Sequence, residues 1–150
     1  MRRIVLAMLL LFSPLLLFSP KLRADLKRAM AEPNLERRSG LALDNAAAAL
    51  KSARAAYEKG DNDEVAKDVA EVLESVDLAA GSLEQSGKNP RRSIWYKKAE
   101  ISTRDLSRRL NDFQDQMSYV DRPLLDKVRA RVQEVHEELL MGVMEGKKKQ

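Results

Sequence analysis

From residue 43 onward, apolar side chains return along the chain in steps of three and four. Leu43, Ala46, Leu50, Ala53 and Tyr57 form the first stripe, and Ala46 to Ala49 add an unbroken run of the residue with the strongest helix propensity. Gly60 ends that stretch. Asp61 and Glu64, three residues apart, supply an acidic variant of a capping box for a second helix. Behind it, Val65, Val69, Val72, Val76, Ala79 and Leu83 keep the same period without a miss, up to the breaker Ser86-Gly87-Lys88-Asn89-Pro90. A third helix starts at Asn89 or Ser93. Its buried side is marked by Trp95, Ala99, Leu106, Leu110, Phe113, Met117 and Val120, with Ile94 and Ile101 beside it. It ends at Asp121-Arg122-Pro123, where Asp121 is placed to cap a fourth helix and Pro123 to sit in its first turn. That last helix carries Leu125, Val128, Val132, Val135, Leu139 and Val143, and Gly146 closes it.

No segment alternates as a strand would. The expected fold is all-α: an antiparallel up-down four-helix bundle over residues 39–146, with left-handed, coiled-coil-like packing. Gly81 and Gly142 fall inside helices, each at about 1 kcal/mol relative to alanine. Residues 25–38, charged and broken at Pro33-Asn34, read as a short lead-in helix or a flexible arm, and residues 147–150 as a basic tail.

The first residues read differently. Arg2 and Arg3 precede an apolar run, Ile4 to Phe18, that is interrupted at Pro14. It is shorter than the roughly 20 apolar residues a spanning helix needs. Ala24 supplies the small residue that signal peptidase prefers before its cut, although Leu22, two positions earlier, is larger than usual there. Residues 1–24 are therefore expected to be a signal peptide cleaved between Ala24 and Asp25. The alternative is an uncleaved N-terminal membrane anchor. The chain is expected to be exported, to the periplasm or outside. It contains no cysteine, so neither disulfides nor a lipidated N-terminal cysteine enter the picture.

Export changes the charge argument. The whole chain has 27 basic and 23 acidic residues, a net charge of +4. Arg2, Arg3, Lys21 and Arg23 all lie in the leader, which has no acidic residue. Without it the charges balance, and nucleic acid is not an expected partner.

The segment Ala56-Tyr57-Glu58-Lys59-Gly60-Asp61-Asn62-Asp63-Glu64-Val65-Ala66 resembles the turn of a tetratricopeptide repeat: an aromatic, a glycine three residues on, an acidic residue, then a small residue opening the second helix. The resemblance covers one hairpin, residues 41–83, with no second copy, whereas stacked repeats need about three. The C-terminal half, through Asn89-Pro90-Arg91-Arg92-Ser93, Asp121-Arg122-Pro123-Leu124-Leu125 and Val132-Gln133-Glu134-Val135-His136, is similar to small exported all-helical bacterial proteins with no assigned activity. That resemblance implies a bacterial envelope location and transfers no functional residue.

Catalytic and metal chemistry find no foothold in the sequence. His136 is the single histidine, no second one completes a zinc motif around it, and no Glu precedes it by three positions as a di-iron bundle requires. Neither a glycine-rich phosphate loop nor a nucleophile elbow is present. The protein is expected not to be an enzyme and to need no cofactor. One surface feature carries information. Lys88, Arg91, Arg92, Lys97 and Lys98 flank Trp95 and Tyr96 at the start of the third helix, where cations oppose the helix dipole. They read either as an anion- or partner-binding patch or as a solvated connection in which Trp95 plugs the bundle end. Two functions follow: a structural or protein-interaction module of the cell envelope, or a peripheral binder of anionic envelope surface, such as lipid phosphate or a polyanion.

Overall fold

A computed structural model describes the backbone of residues 20–146 and the side chains of residues 25–146. The apolar run of the expected leader and the tail at 147–150 lie outside the described residues. Within them the chain is all-helical: α1 (Pro20–Ala31), α2 (Leu35–Glu58), α3 (Asn62–Gln85), α4 (Ile94–Gln116) and α5 (Asp126–Glu145), with a 3₁₀ turn at Arg122–Leu125 ahead of α5. The expected cut after Ala24 falls inside α1. Described helices include none long and apolar enough to cross a membrane.

α2 begins at Leu35, earlier than Ser39, because the Asn34 side chain accepts from the Arg37 amide at 2.9 Å and caps the helix there. Its end follows the sequence. The Gly60 and Asp61 amides donate back to Tyr57 and Ala56, and Gly60 takes φ +75, a left-handed conformation that favours glycine. Asp61 then accepts from the Glu64 amide at 3.0 Å and starts α3.

The α2–α3 pair is the most extensive contact in the molecule. α2 presents Ala42, Ala46, Ala49, Ala53 and Ala56, all buried, and α3 answers with Val65, Val69, Val72, Val76, Ala79 and Leu83, also all buried. Leu50, Leu110, Phe113 and Leu125 fill the space between this hairpin, α4 and α5. α1 lies along α2 and touches α3, burying Leu26 and Ala29.

α4 departs from expectation. Its stripe is buried at Ala99, Leu106, Leu110, Phe113 and Met117, but Val120 is 84% exposed, and Ile94 and Ile101 also face solvent. The helix stops at Gln116, and residues 118–121 form a turn that carries Val120 away from the core. Asp121 does not cap the next element. Its carboxylate instead accepts from the Ser118 hydroxyl (2.6 Å), the Tyr57 hydroxyl (3.1 Å) and Asn62 Nδ2 (3.2 Å), tying this turn to the α2–α3 turn. These donors hold the Asp121 carboxyl below the usual carboxylate range, Ser118 most strongly.

One seam of the α2–α3 interface is polar. Asn45 Nδ2 donates to Glu71 Oε1 and to Ser75 Oγ, both at 2.9 Å, and all three residues are buried. Asp68, a turn before Glu71, is 4% exposed, and its Oδ2 has no partner. Burial pushes the Asp68 carboxyl above its ordinary 3.8, Glu64 and Glu71 push the same way, and Ser52 and Lys67 oppose them. A folded-state value above the unfolded one means stability present in full below 3.8 and lost as pH rises through the raised value. Asp68→Asn is therefore expected to melt a few degrees above the parent at pH 7 and to flatten that decline. Thermal unfolding across pH 3 to 8 measures it, and a variant that melts lower with an unchanged pH profile would contradict it.

Candidate functional site

The seven residues of the basic-aromatic cluster come together at one end of the molecule. Four elements meet there: the start of α2, the end of α3, the start of α4 and the end of α5. Ser93 organises the junction. Its Oγ accepts from the Trp95 and Tyr96 amides at 3.2 and 3.5 Å and donates to Glu36 Oε1 at 3.0 Å, linking the first turn of α4 to that of α2. The Ser93 cap thus occupies amides that an anion would otherwise use. The cluster offers side-chain charge in their place.

The two aromatics turn inward. Tyr96 donates its hydroxyl to the Leu83 carbonyl at 2.9 Å, and burial raises its pKa, with Glu84 and Glu36 adding to the effect. Trp95 is half-buried and lies across Gly40 of α2. A Cβ at position 40 would stand 2.8 Å from Trp95 Cζ3, so the glycine is the seat of the indole ring. The periodic stripe that begins at Leu43 gives Gly40 no role. The one available signal was a glycine where an alanine-rich helix has no need of one. Gly142 plays a similar part, since a Cβ there would come within 3.1 Å of the buried Pro90 ring.

The cations face outward. Lys88, Arg91, Arg92, Lys97 and Lys98 are exposed, and none forms an ion pair with another described residue. Lys98 Nζ stands 5.0 Å from the Trp95 ring centroid, over an aromatic face rather than a carboxylate. Farther along α4 the arginines are paired, Arg104 with Glu100 and Arg108 and Arg109 with Asp105; on α5, Arg131 pairs with both Asp77 and Glu134, while Arg129 bonds to the Asn111 amide oxygen. Ile94, Met141 and Met144 add exposed apolar side chains near the same end. Between α2 and α4, Gly40, Leu43, Asp44, Trp95, Lys98 and Ser102 are among the residues lining a groove of about 330 Å³.

His136 sits on the flank of α5 with Nδ1 3.4 Å from Thr103 Oγ1 and 3.9 Å from Glu100 Oε1. Among the described residues, no group of three His, Cys, Asp or Glu is placed to hold a metal ion. Comparison with protein-family models, curated proteins and solved structures finds no match to this chain.

The Trp95 seat is testable. Gly40→Ala gains about 1 kcal/mol of helix propensity but forces the ring outward, for a net loss of about 1 kcal/mol and a red-shifted Trp95 emission. An unshifted emission maximum together with higher stability would contradict the seat.

Proposed function

We propose that this chain is an exported, non-catalytic interaction module of the cell envelope that engages anionic surface through its basic end. The observation that carries the reading is the density of exposed positive charge at the start of α4. Lys88, Arg91, Arg92, Lys97 and Lys98 fall within eleven residues that hold no Asp or Glu, and all five stand exposed and without ion pairs around Trp95 and Tyr96. Cations beside exposed Ile94, Met141 and Met144 suit a surface with phosphate at its face and apolar matter beneath. In this reading α2 to α5 form an antiparallel up-down four-helix bundle with α1 laid along it. The ties Ser93–Glu36 and Tyr96–Leu83 at one end, and Tyr57–Asp121 at the other, support that arrangement.

The quadruple variant Arg91→Gln, Arg92→Gln, Lys97→Gln, Lys98→Gln is expected to lose at least about tenfold in affinity for vesicles containing anionic phospholipid. Parent binding should weaken as salt rises from about 0.1 M to about 1 M, where the screening length falls from about 10 Å to about 3 Å. Equal binding by parent and variant, insensitive to salt, would sink the reading.

Export belongs to the same proposal and rests on Arg2, Arg3, the apolar run and Ala24. Protein recovered after expression in a secreting host is expected to start at Asp25 and to weigh clearly less than the 17.0 kDa of the full chain. An intact mass of 17.0 kDa would replace the cleaved leader with a retained anchor.

A further inference from the structure

The end opposite the cations carries an arrangement that packing does not require. The turn at residues 118–121 is closed by the Asp121 and Arg122 amides donating to the Ser118 carbonyl, and its two corner residues are Tyr119 and Val120. They are 86% and 84% exposed. Corners of this kind are ordinarily taken by Gly, Asn, Asp or Pro, because nothing there buries an apolar side chain. This one is also held rigid. The Tyr57 hydroxyl accepts from the Ser118 amide at 2.8 Å and donates to Asp121, and Asn62 donates to the other oxygen of that carboxylate. Tyr57 is in turn fixed edge-on against Phe113, with ring centroids 5.8 Å apart. An exposed aromatic on a pre-ordered turn is the form that binding anchors take, since little freedom is left to lose.

Carboxylates border this tip. Glu58, Asp61, Asp63, Asp115 and Asp121 lie at the end that Tyr119 occupies, with Arg54, Lys59 and Arg122 interspersed. At the opposite end, residues 88 to 98 hold five cations and no carboxylate, with Glu36 and Glu84 beside Ser93 and Tyr96. Beside those cations lies the α2–α4 groove. Its wall is the Trp95 ring, with Asp44 able to accept from a phenol hydroxyl and Lys98 able to meet a carboxylate.

We propose that the occupant of this groove is a second copy of the same chain, which inserts Tyr119 and Val120 while the carboxylates bordering its tip meet Arg91, Arg92, Lys97 and Lys98. Contact between two different surfaces of one chain is heterologous, so it propagates head to tail. The proposal goes beyond the anionic-surface reading, which requires neither the groove nor the tip.

Two variants separate the halves of the contact. Tyr119→Ser with Val120→Ser removes the tip. Ser102→Trp fills the groove from an exposed position on α4 and leaves the core and all five cations in place. By analytical ultracentrifugation of the exported protein, the parent is expected to reach at least twice its monomer mass as concentration rises to about 1 mM, and to return to monomer in about 1 M salt. Each variant alone stays monomeric. An equimolar mixture of the two forms dimers and nothing larger, because one intact tip meets one intact groove. A parent that stays monomeric, an assembly surviving either variant, or a mixture that stays monomeric would each overturn the proposal. Vesicle binding is read in parallel on the tip variant, which keeps every cation of the basic end. Loss of self-association with binding retained separates the two contacts, and vesicle binding lost from the quadruple glutamine variant alone speaks only to the surface reading.

Discussion

The constraint on which the structure depends is the small-residue face of α2. Ala42, Ala46, Ala49, Ala53 and Ala56 are buried along almost the whole helix, so the α2 backbone can approach its neighbours more closely than leucines would permit. α2 is the element that α1, α3 and α4 all touch. An alanine buries little area of its own, and the apolar transfer energy therefore comes from the partners: the valines of α3, Leu106, Leu110 and Phe113 of α4, and Val128, Val132 and Val135 of α5. Bulk on the partners and smoothness on the hub are two halves of one packing solution. Gly40 carries the same logic to its limit, with a whole indole ring resting where even a methyl would intrude.

A hub of this kind must be pinned at its ends, because smooth faces specify axial register poorly. Polar ties do that here. Near the N-terminal end Ser93 bonds Glu36; near the C-terminal end Tyr57 reaches Ser118 and Asp121. Between them Asn45 Nδ2 donates to Glu71 and Ser75 at a buried position, which ties the amide nitrogen to one alignment of α2 on α3. The cost of that specificity is visible in the same seam, where Asn45 Oδ1 and Asp68 Oδ2 lack partners. The interior thus holds packing and alignment, and the chemistry available to a partner is displaced to the two ends.

How far the sequence could be read follows from how local each determinant is. The α3 stripe was legible because every buried residue in it obeys one helix's period, and all six expected positions are buried. α4 was legible only as far as Met117. Its true end is set by Tyr57 binding the Ser118 amide from another helix, with neither a glycine nor a proline at the stop to announce it. Val120 continued the pattern on paper but belongs to that turn. Asp121 has the residue type of a cap, and its carboxylate was claimed by distant donors. The polar seam was invisible for a similar reason: Asn45, Asp68 and Glu71 have surface chemistry, and only the α2–α3 pairing shows that they are buried. The cations around Trp95 could be found by composition alone. That they stand without ion pairs, and that Trp95 rests on Gly40, are facts of assembly.

Charge makes the same point at the scale of the molecule. Beyond residue 24 basic and acidic residues are equal in number, 23 of each, and a balance of that kind ordinarily argues against electrostatic function. Helix connectivity undoes the inference. The α3–α4 connection and the first turn of α4 collect five cations without a carboxylate, while the α2–α3 and α4–α5 turns, joined through Asn62 and Asp121, mix carboxylates with Lys59 and Arg122. A chain neutral in sum thereby carries a dense local run of positive charge at one end. With the screening length near 8 Å at physiological salt, a partner approaching one end feels that end's charge and little of the other's. Local charge, and not the net value, therefore decides orientation on encounter.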